Sequence, residues 1–208
     1  MRARLLELIV PSVCPACDAP RSPGDTLLCP ACARGLHAWP RLRGVRTALA
    51  YEETAARLLQ RYKFEMRRDA LAVLLEPLAA RVGELSFDGI VAVPRHRIRV
   101  REQRGDPVHE LARALARASG RSLWSRALRR TRLTPPQTGL DHSARRRNVR
   151  ASFAARPGSL RGRSVLLLDD VTTTGATLAE ARRALRAAQP RRVLAVALAA
   201  TPPPPYAL

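Results

Sequence analysis

The chain has 208 residues, enough for one domain of ordinary size and a small appendage, which excludes a multidomain machine. Hydrophobic residues make up 46% but fall in separated runs, so a core can form while no span of about 20 apolar residues offers a membrane helix. With 37 basic residues against 17 acidic ones the net charge is +20, a sign that favours anionic partners such as phosphates or nucleic acid. Lys63 is the single lysine among those 37, so part of the charge reflects arginine used wherever a cation is tolerated. Placement is more informative: residues 121 to 163 hold twelve arginines against one acid, Asp141, and read either as a solvated basic loop or as a surface facing anions.

In chain order, Leu5 to Val13 resembles a secretory leader, but Glu7 interrupts its apolar run, Pro11 breaks it and no small-residue cleavage site follows. The segment reads as an N-terminal helix and the protein as cytoplasmic. Next come Cys14, Cys17, Cys29 and Cys32, two C-x2-C knuckles separated by eleven residues. Each knuckle aims two thiolates at one point, and two knuckles complete a tetrahedral sulfur site for a structural zinc with no open position for substrate. Proline after Cys14 and Cys29, and Pro20, Pro23, Gly24 and Gly35, suit a loop-rich zinc ribbon. Two disulfides compete with this reading, and the lack of a secretory signal weighs against them. Residues 1–44 therefore form the first unit, expected to have a source of stability separate from the rest.

A linker with Trp39, Pro40 and Gly44 leads to a strand at Val45 to Tyr51 and to helices over Thr54 to Tyr62 and Asp69 to Val82, where apolar residues recur at three and four. Ile90 to Val93 forms a strand ending at Pro94, followed by a cluster of Arg95, Arg97, Arg99, Arg101 and Arg104. Asp106 and Pro107 open a helix that Gly120 closes, and a strand is expected around Leu123 to Leu128. Val165 to Leu168 is a continuous apolar strand, as a parallel strand buried on both faces requires, with Asp169 and Asp170 at its end. A helix through Leu178, Ala181 and Leu185 and a strand at Val193 to Ala199 complete a βαβ unit. The fold class is α/β, a parallel sheet with flanking helices over residues 45–200, and residues 201–208 are a proline-rich tail.

The chemistry concentrates in Asp169-Asp170-Val171-Thr172-Thr173-Thr174-Gly175-Ala176-Thr177, at a strand-to-helix junction. Open α/β sheets bind ligands beyond the carboxyl ends of their strands. A helix N-terminus there offers free N–H groups to a phosphate, threonine hydroxyls add donors, and the two carboxylates suit ribose hydroxyls or a Mg2+ shell. A Walker loop is absent. The plain alternative is a threonine-rich N-cap, but two acids directly after four buried apolar residues are costly unless something satisfies them.

That nine-residue string resembles the phosphoribosyl pyrophosphate (PRPP) loop of type I phosphoribosyltransferases, and with the ribbon the chain from Cys14 to about Ala200 resembles the ComF family, bacterial proteins linked to competence and DNA uptake. Tyr62-Lys63-Phe64, Val93-Pro94-Arg95-His96-Arg97, and Gln137, Leu140, Arg145, Asn148 and Phe153 are similar to three further motifs of that family. Where the family continues Arg-Gly-Phe-Asn-Gln, this chain has Arg104-Gly105-Asp106-Pro107-Val108. The resemblance implies that Thr172, Thr173, Thr174, Gly175, Ala176 and Thr177 hold a 5′-phosphate, Asp169 and Asp170 the ribose hydroxyls, and Arg95 and Arg97 a pyrophosphate chelated to Mg2+. Residues 131 to 149 become a hood that closes over the site, with Arg145 its cation or simply an exposed arginine. Asp169, Asp170, Arg145 and Lys63 are the catalytic candidates, Lys63 because a compact ammonium is kept where arginine is otherwise the rule. His96 and His142 are possible acids or bases. Three functions remain: a phosphoribosyltransferase, an adaptor binding single-stranded DNA or competence proteins, and a nucleotide-sensing regulator, each compatible with a homo-oligomer. Aromatic residues are only 4% of the chain, few for stacking a single strand.

Overall fold

The computed structural model describes residues 13–22, 26–39, 41–42, 44–102, 105–132 and 149–202. The expected N-terminal helix, most of the expected hood and most of the proline tail lie outside these residues. The described strands are β1 (Arg41–Leu42), β2 (Val45–Ala50), β3 (Gly89–Ala92), β4 (Ser122–Leu123), β5 (Leu128–Arg130), β6 (Phe153–Ala155), β7 (Ser164–Thr172) and β8 (Arg192–Ala200). The helices are α1 (Pro30–Arg34), α2 (Glu53–Phe64), α3 (Arg68–Gly83), α4 (Arg97–Glu102), α5 (Pro107–Ser119) and α6 (Ala176–Leu185).

Six strands form one sheet in the order β1-β2-β8-β7-β3-β4, parallel throughout except for β1, which lies antiparallel on the β2 edge. β7 is central, and alternation along it separates two cores. Leu166 and Leu168 face the layer of α2, α3 and α5, where Leu58, Leu59, Leu74, Leu78, Leu111 and Leu115 are buried. Val165 and Leu167 face the opposite layer with Leu178, Ala181 and Leu185 of α6. A mixed α/β fold with a mostly parallel sheet follows from that two-sided burial. Truncating Leu166 or Leu167 to alanine costs about 2–5 kcal/mol, because each is fully enclosed.

Four local readings change. The segment around Leu123 to Leu128 holds two strands in two sheets: β4 extends the main sheet beside β3, while β5 pairs antiparallel with β6. Trp124 lies between them and packs on Gly89, where an added Cβ would meet its ring at 2.7 Å. The arginine cluster after Pro94 is in part helical, as α4, and the Trp39 to Gly44 linker contains β1. Finally, the cysteine module shares its core with the sheet domain, because Cys14, Ala16, Leu28, Cys29 and Cys32 cluster with Leu58, Leu59 and Tyr62 of α2. Its stability is therefore joined to that of the domain.

Candidate functional site

β7 carries Asp169 and Asp170 to the carboxyl edge of the sheet and continues to Thr172, so the ladder with β8 fixes both carboxylates by backbone pairing. The Asp170 N–H donates to Asp169 Oδ1 at 3.0 Å and the Val171 N–H to Asp170 Oδ1 at 2.6 Å. The chain then turns into α6 through Gly175, whose φ of 75° lies in the left-handed region that glycine adopts without a steric penalty. Thr172 Oγ1 accepts the Gly175 N–H at 3.1 Å and Thr174 Oγ1 the Ala176 N–H at 3.2 Å, so threonines hold the loop in shape.

A cleft of about 550 Å3 opens where this edge meets the end of α2 and the loop after β3. Asp169, Asp170, Thr173 and Thr177 line one side, facing Lys63, Arg95 and Arg130. Lys63 Nζ stands 2.6 Å from Asp170 Oδ2, with the two side chains only 16% and 12% exposed, and Arg95 Nη2 stands 3.7 Å from the same oxygen. Burial, reinforced by the Asp170 charge, pushes the Asp169 carboxyl up to about 7, against the pull of Lys63 and Arg95. The departure from the family motif also finds a role: Asp106 Oδ1 caps α5 by accepting the Val108 and His109 N–H groups, and its Oδ2 accepts the Arg95 N–H at 3.3 Å. Buried Tyr62 donates its hydroxyl to the Pro107 carbonyl at 2.7 Å, tying α2 to the same corner.

Of the residues singled out by sequence, Asp169, Asp170, Lys63, Arg95, Thr173 and Thr177 share the cleft. Thr174, Gly175 and Ala176 line a second, larger hollow of about 930 Å3 on the far side of the loop, and Thr172 is buried in the turn. His96 serves a local end, its Nδ1 accepting the Ile98 N–H at 3.4 Å. Arg145 and His142 lie outside the described residues, as does the Arg97 side chain. Sequence reasoning missed Arg130 and Tyr51. Tyr51 follows a parallel strand at its carboxyl end and was findable on that ground. Arg130, over the Phe153 ring at 5.3 Å, was one arginine among twelve.

The four cysteine sulfurs lie within 4.8 Å of one another, with Cys17 and Cys29 at 3.7 Å, and none is in a disulfide. Four thiolates around a tetrahedral zinc sit about 3.8 Å apart, given Zn–S bonds of about 2.3 Å, so the cluster is positioned to hold a metal ion. The thiols respond unequally to their surroundings. Burial raises Cys14, but N–H groups of Cys29, Ala16 and Cys17 bring it down to about 7, whereas burial and the neighbouring sulfurs push Cys32 far up. Four thiolates together require a cation among them. The module is also clamped to α2: Asp18, beside Cys17, accepts both terminal nitrogens of Arg61 at 2.6 and 2.5 Å and Arg67 at 2.9 Å.

A βαβ sheet with paired acids and a threonine-glycine turn at its carboxyl edge defines a class, and comparison agrees: the chain belongs to the phosphoribosyl transferase domain family, whose model matches residues 73–205. Within that class its cysteine module and its relatives are those of the ComF type. It is 31% identical over 176 residues to the DNA utilization protein YhgH of Escherichia coli K12, covering 81% of this chain and 75% of that protein, and 32% identical over the same length to YhgH of Salmonella typhimurium LT2. Among solved structures, the glutamine PRPP amidotransferase from B. subtilis, complexed with ADP and GMP, is similar over 67% of this chain and 30% of its own, with 20% identity and a TM-score of 0.45. Orotate phosphoribosyltransferase from Aeropyrum pernix is similar over 81% and 89%, with 16% identity and a TM-score of 0.40. Among the described residues no helix is long and apolar enough to cross a membrane.

Proposed function

We propose that the cleft binds the phosphorylated ribose of PRPP and that the protein acts as a phosphoribosyltransferase-type enzyme on it. One observation carries this reading: a buried carboxylate pair faces two cations, Lys63 and Arg95, across a cleft that also presents Thr173 and Thr177. Asp169 and Asp170 accept the ribose hydroxyls. Thr173 and Thr177 take the 5′-phosphate beside the N-terminal end of α6, whose dipole favours negative charge. Displacement at the anomeric carbon loads charge onto the departing pyrophosphate, and Arg95 and Arg130 are the fixed donors on that side.

PRPP in solution carries Mg2+ on its pyrophosphate, where the ion offsets charge on the leaving group. The residues present do not read as a ligand set for that ion, because Asp170 already has an ammonium at 2.6 Å and a guanidinium at 3.7 Å. Zinc in the cysteine cluster is the other metal of the proposal, with a structural task only. The test of function is calorimetry of the purified chain with PRPP and ribose 5-phosphate. Saturable binding that inorganic phosphate does not reproduce is expected, and no binding of either ligand overturns the reading.

A second reading has its own support. The relatives are named DNA utilization proteins, and exposed Arg150, Arg182, Arg186 and Arg192 add to a strongly basic surface. A charge of +20 binds DNA at low salt whatever the function, so the informative assay is at physiological salt. Single-stranded DNA that persists there and leaves when PRPP is titrated in shares the cleft. DNA that persists beside PRPP lies on the outer surface, and DNA that dissociates removes the adaptor role.

A further inference from the structure

Lys63 stands in the last turn of helix α2, in a chain whose other permanently charged cations are all arginines. Its ammonium pairs with Asp170 at 2.6 Å, and a cation in the last turn of a helix is favoured by the helix dipole. A lysine differs from an arginine here in a specific way. A guanidinium pairs with a carboxylate as a two-pronged fork and engages both oxygens, whereas an ammonium is a point charge with three donors that can hold one oxygen and still offer a proton to another group. Asp170 Oδ1 accepts the Val171 N–H, while its buried Oδ2, the oxygen nearest the ammonium, accepts no hydrogen bond among the described residues and is the one turned to the ion pair. The arrangement leaves Lys63 with donors to spare at the mouth of a cleft whose other cation on this carboxylate, Arg95, is 1.1 Å further away.

Where carboxylates meet a sugar phosphate, a divalent cation commonly binds oxygens of both and offsets their negative charge. In this cleft that charge is built into the chain. We infer that Lys63 is the resident cation of the site, bridging Asp170 and a ribose oxygen, so that this protein binds a phosphorylated ribose without a divalent metal ion at its carboxylates. The inference rests on the ribose-phosphate reading above and refines it, naming the residue that replaces the ion and the ligand half it serves.

The probe is ribose 5-phosphate, which lacks the pyrophosphate that chelates Mg2+ for itself. Calorimetry is run on the full chain in buffer freed of divalent ions by a chelating resin, with no soluble chelator that would strip the cysteine cluster, and again with millimolar Mg2+. For the parent protein the dissociation constants in the two buffers differ by less than about tenfold, and Lys63→Met binds at least about tenfold more weakly in the ion-free buffer, recovering part of the loss in Mg2+. A parent protein that gains tenfold or more from Mg2+ overturns the inference, and so does a Lys63→Met variant that binds as tightly as the parent in ion-free buffer, which would make the ion pair purely structural. If Lys63→Met does not fold, the comparison of the parent in two buffers decides alone. Failure of ribose 5-phosphate and PRPP to bind in either buffer defeats the ribose-phosphate reading itself, an outcome distinct from a Mg2+ requirement.

Discussion

The loop from Thr173 to Thr177 separates two hollows, and the larger is the poorer candidate. On one side, about 930 Å3 is bordered by Val45, Ala179, Ala195 and exposed arginines, and its one acid, Glu180, is already paired with Arg183 at 2.7 Å. On the other side, about 550 Å3 gathers two buried carboxylates, a nearly buried lysine and two arginines from four different parts of the chain. Charged groups are costly to bury, so a fold that buries several around a void has spent stability on that place. Volume records where packing is loose, whereas converging buried charge records what the void is for.

The sharpest way to break this contrast is a pair of double substitutions. Asp169→Asn with Asp170→Asn, in the smaller cleft, should weaken ribose 5-phosphate binding by about tenfold or more, since the Asp170 charge and carboxyl acceptors at both positions are lost. Arg182→Ala with Arg183→Ala, in the larger hollow, should change it by less than about threefold, as exposed charges contribute little. Calorimetry with a thermal melt on each variant checks both, and the opposite ranking moves the site across the loop.

A smaller effect is expected from the metal. Because the cysteines share a core with α2, removing the ion should lower the melting temperature by about 10 °C, several kcal/mol at this chain length, and should also weaken binding, since α2 carries Lys63. Scanning calorimetry before and after metal removal measures the first, and an unchanged ligand affinity would uncouple module from cleft. Smallest is the response to pH. Asp169 titrates near 7 when folded against 3.8 when free, so the folded chain retains a proton that the unfolded one releases. Its contribution to stability is complete below about pH 4 and disappears as pH rises through 7. Asp169→Asn should remove that decline, so the gap between variant and parent melting temperatures should widen from pH 4 to 7 and stay level beyond it.

What the sequence made legible was local. The knuckle spacing, the Val165 to Leu168 run and the acidic, threonine-rich turn each lie within a few residues, and each carries its own geometric requirement. The rest depends on partners distant along the chain. Nothing near Asp18 announces the 43-residue reach to Arg61, and nothing near Arg130 distinguishes it from its arginine neighbours until β5 pairs with β6 and turns it toward the cleft. The single strand expected at Leu123 to Leu128 failed for the same reason, since its two ends answer to different sheets. Lys63 was suspected from composition alone; its partner, Asp170, could be named only once the sheet was assembled.

Strand order sets a timetable for the molecule's birth. β8 is the last of the described strands along the chain, yet it lies inside the sheet, laddered to β2 on one side and β7 on the other. A ribosome adding about 5–20 residues per second delivers Arg192 to Ala200 roughly seven to thirty seconds after β2. Until β8 arrives, β2 and then, once it is made, β7 lack a partner on the edge that β8 will fill, the condition under which nascent chains mispair or recruit chaperones. Lys63 lies on the helix that follows β2 and Asp170 on β7, the two strands that β8 joins, so the last strand to be made ties together the two sides of the cleft.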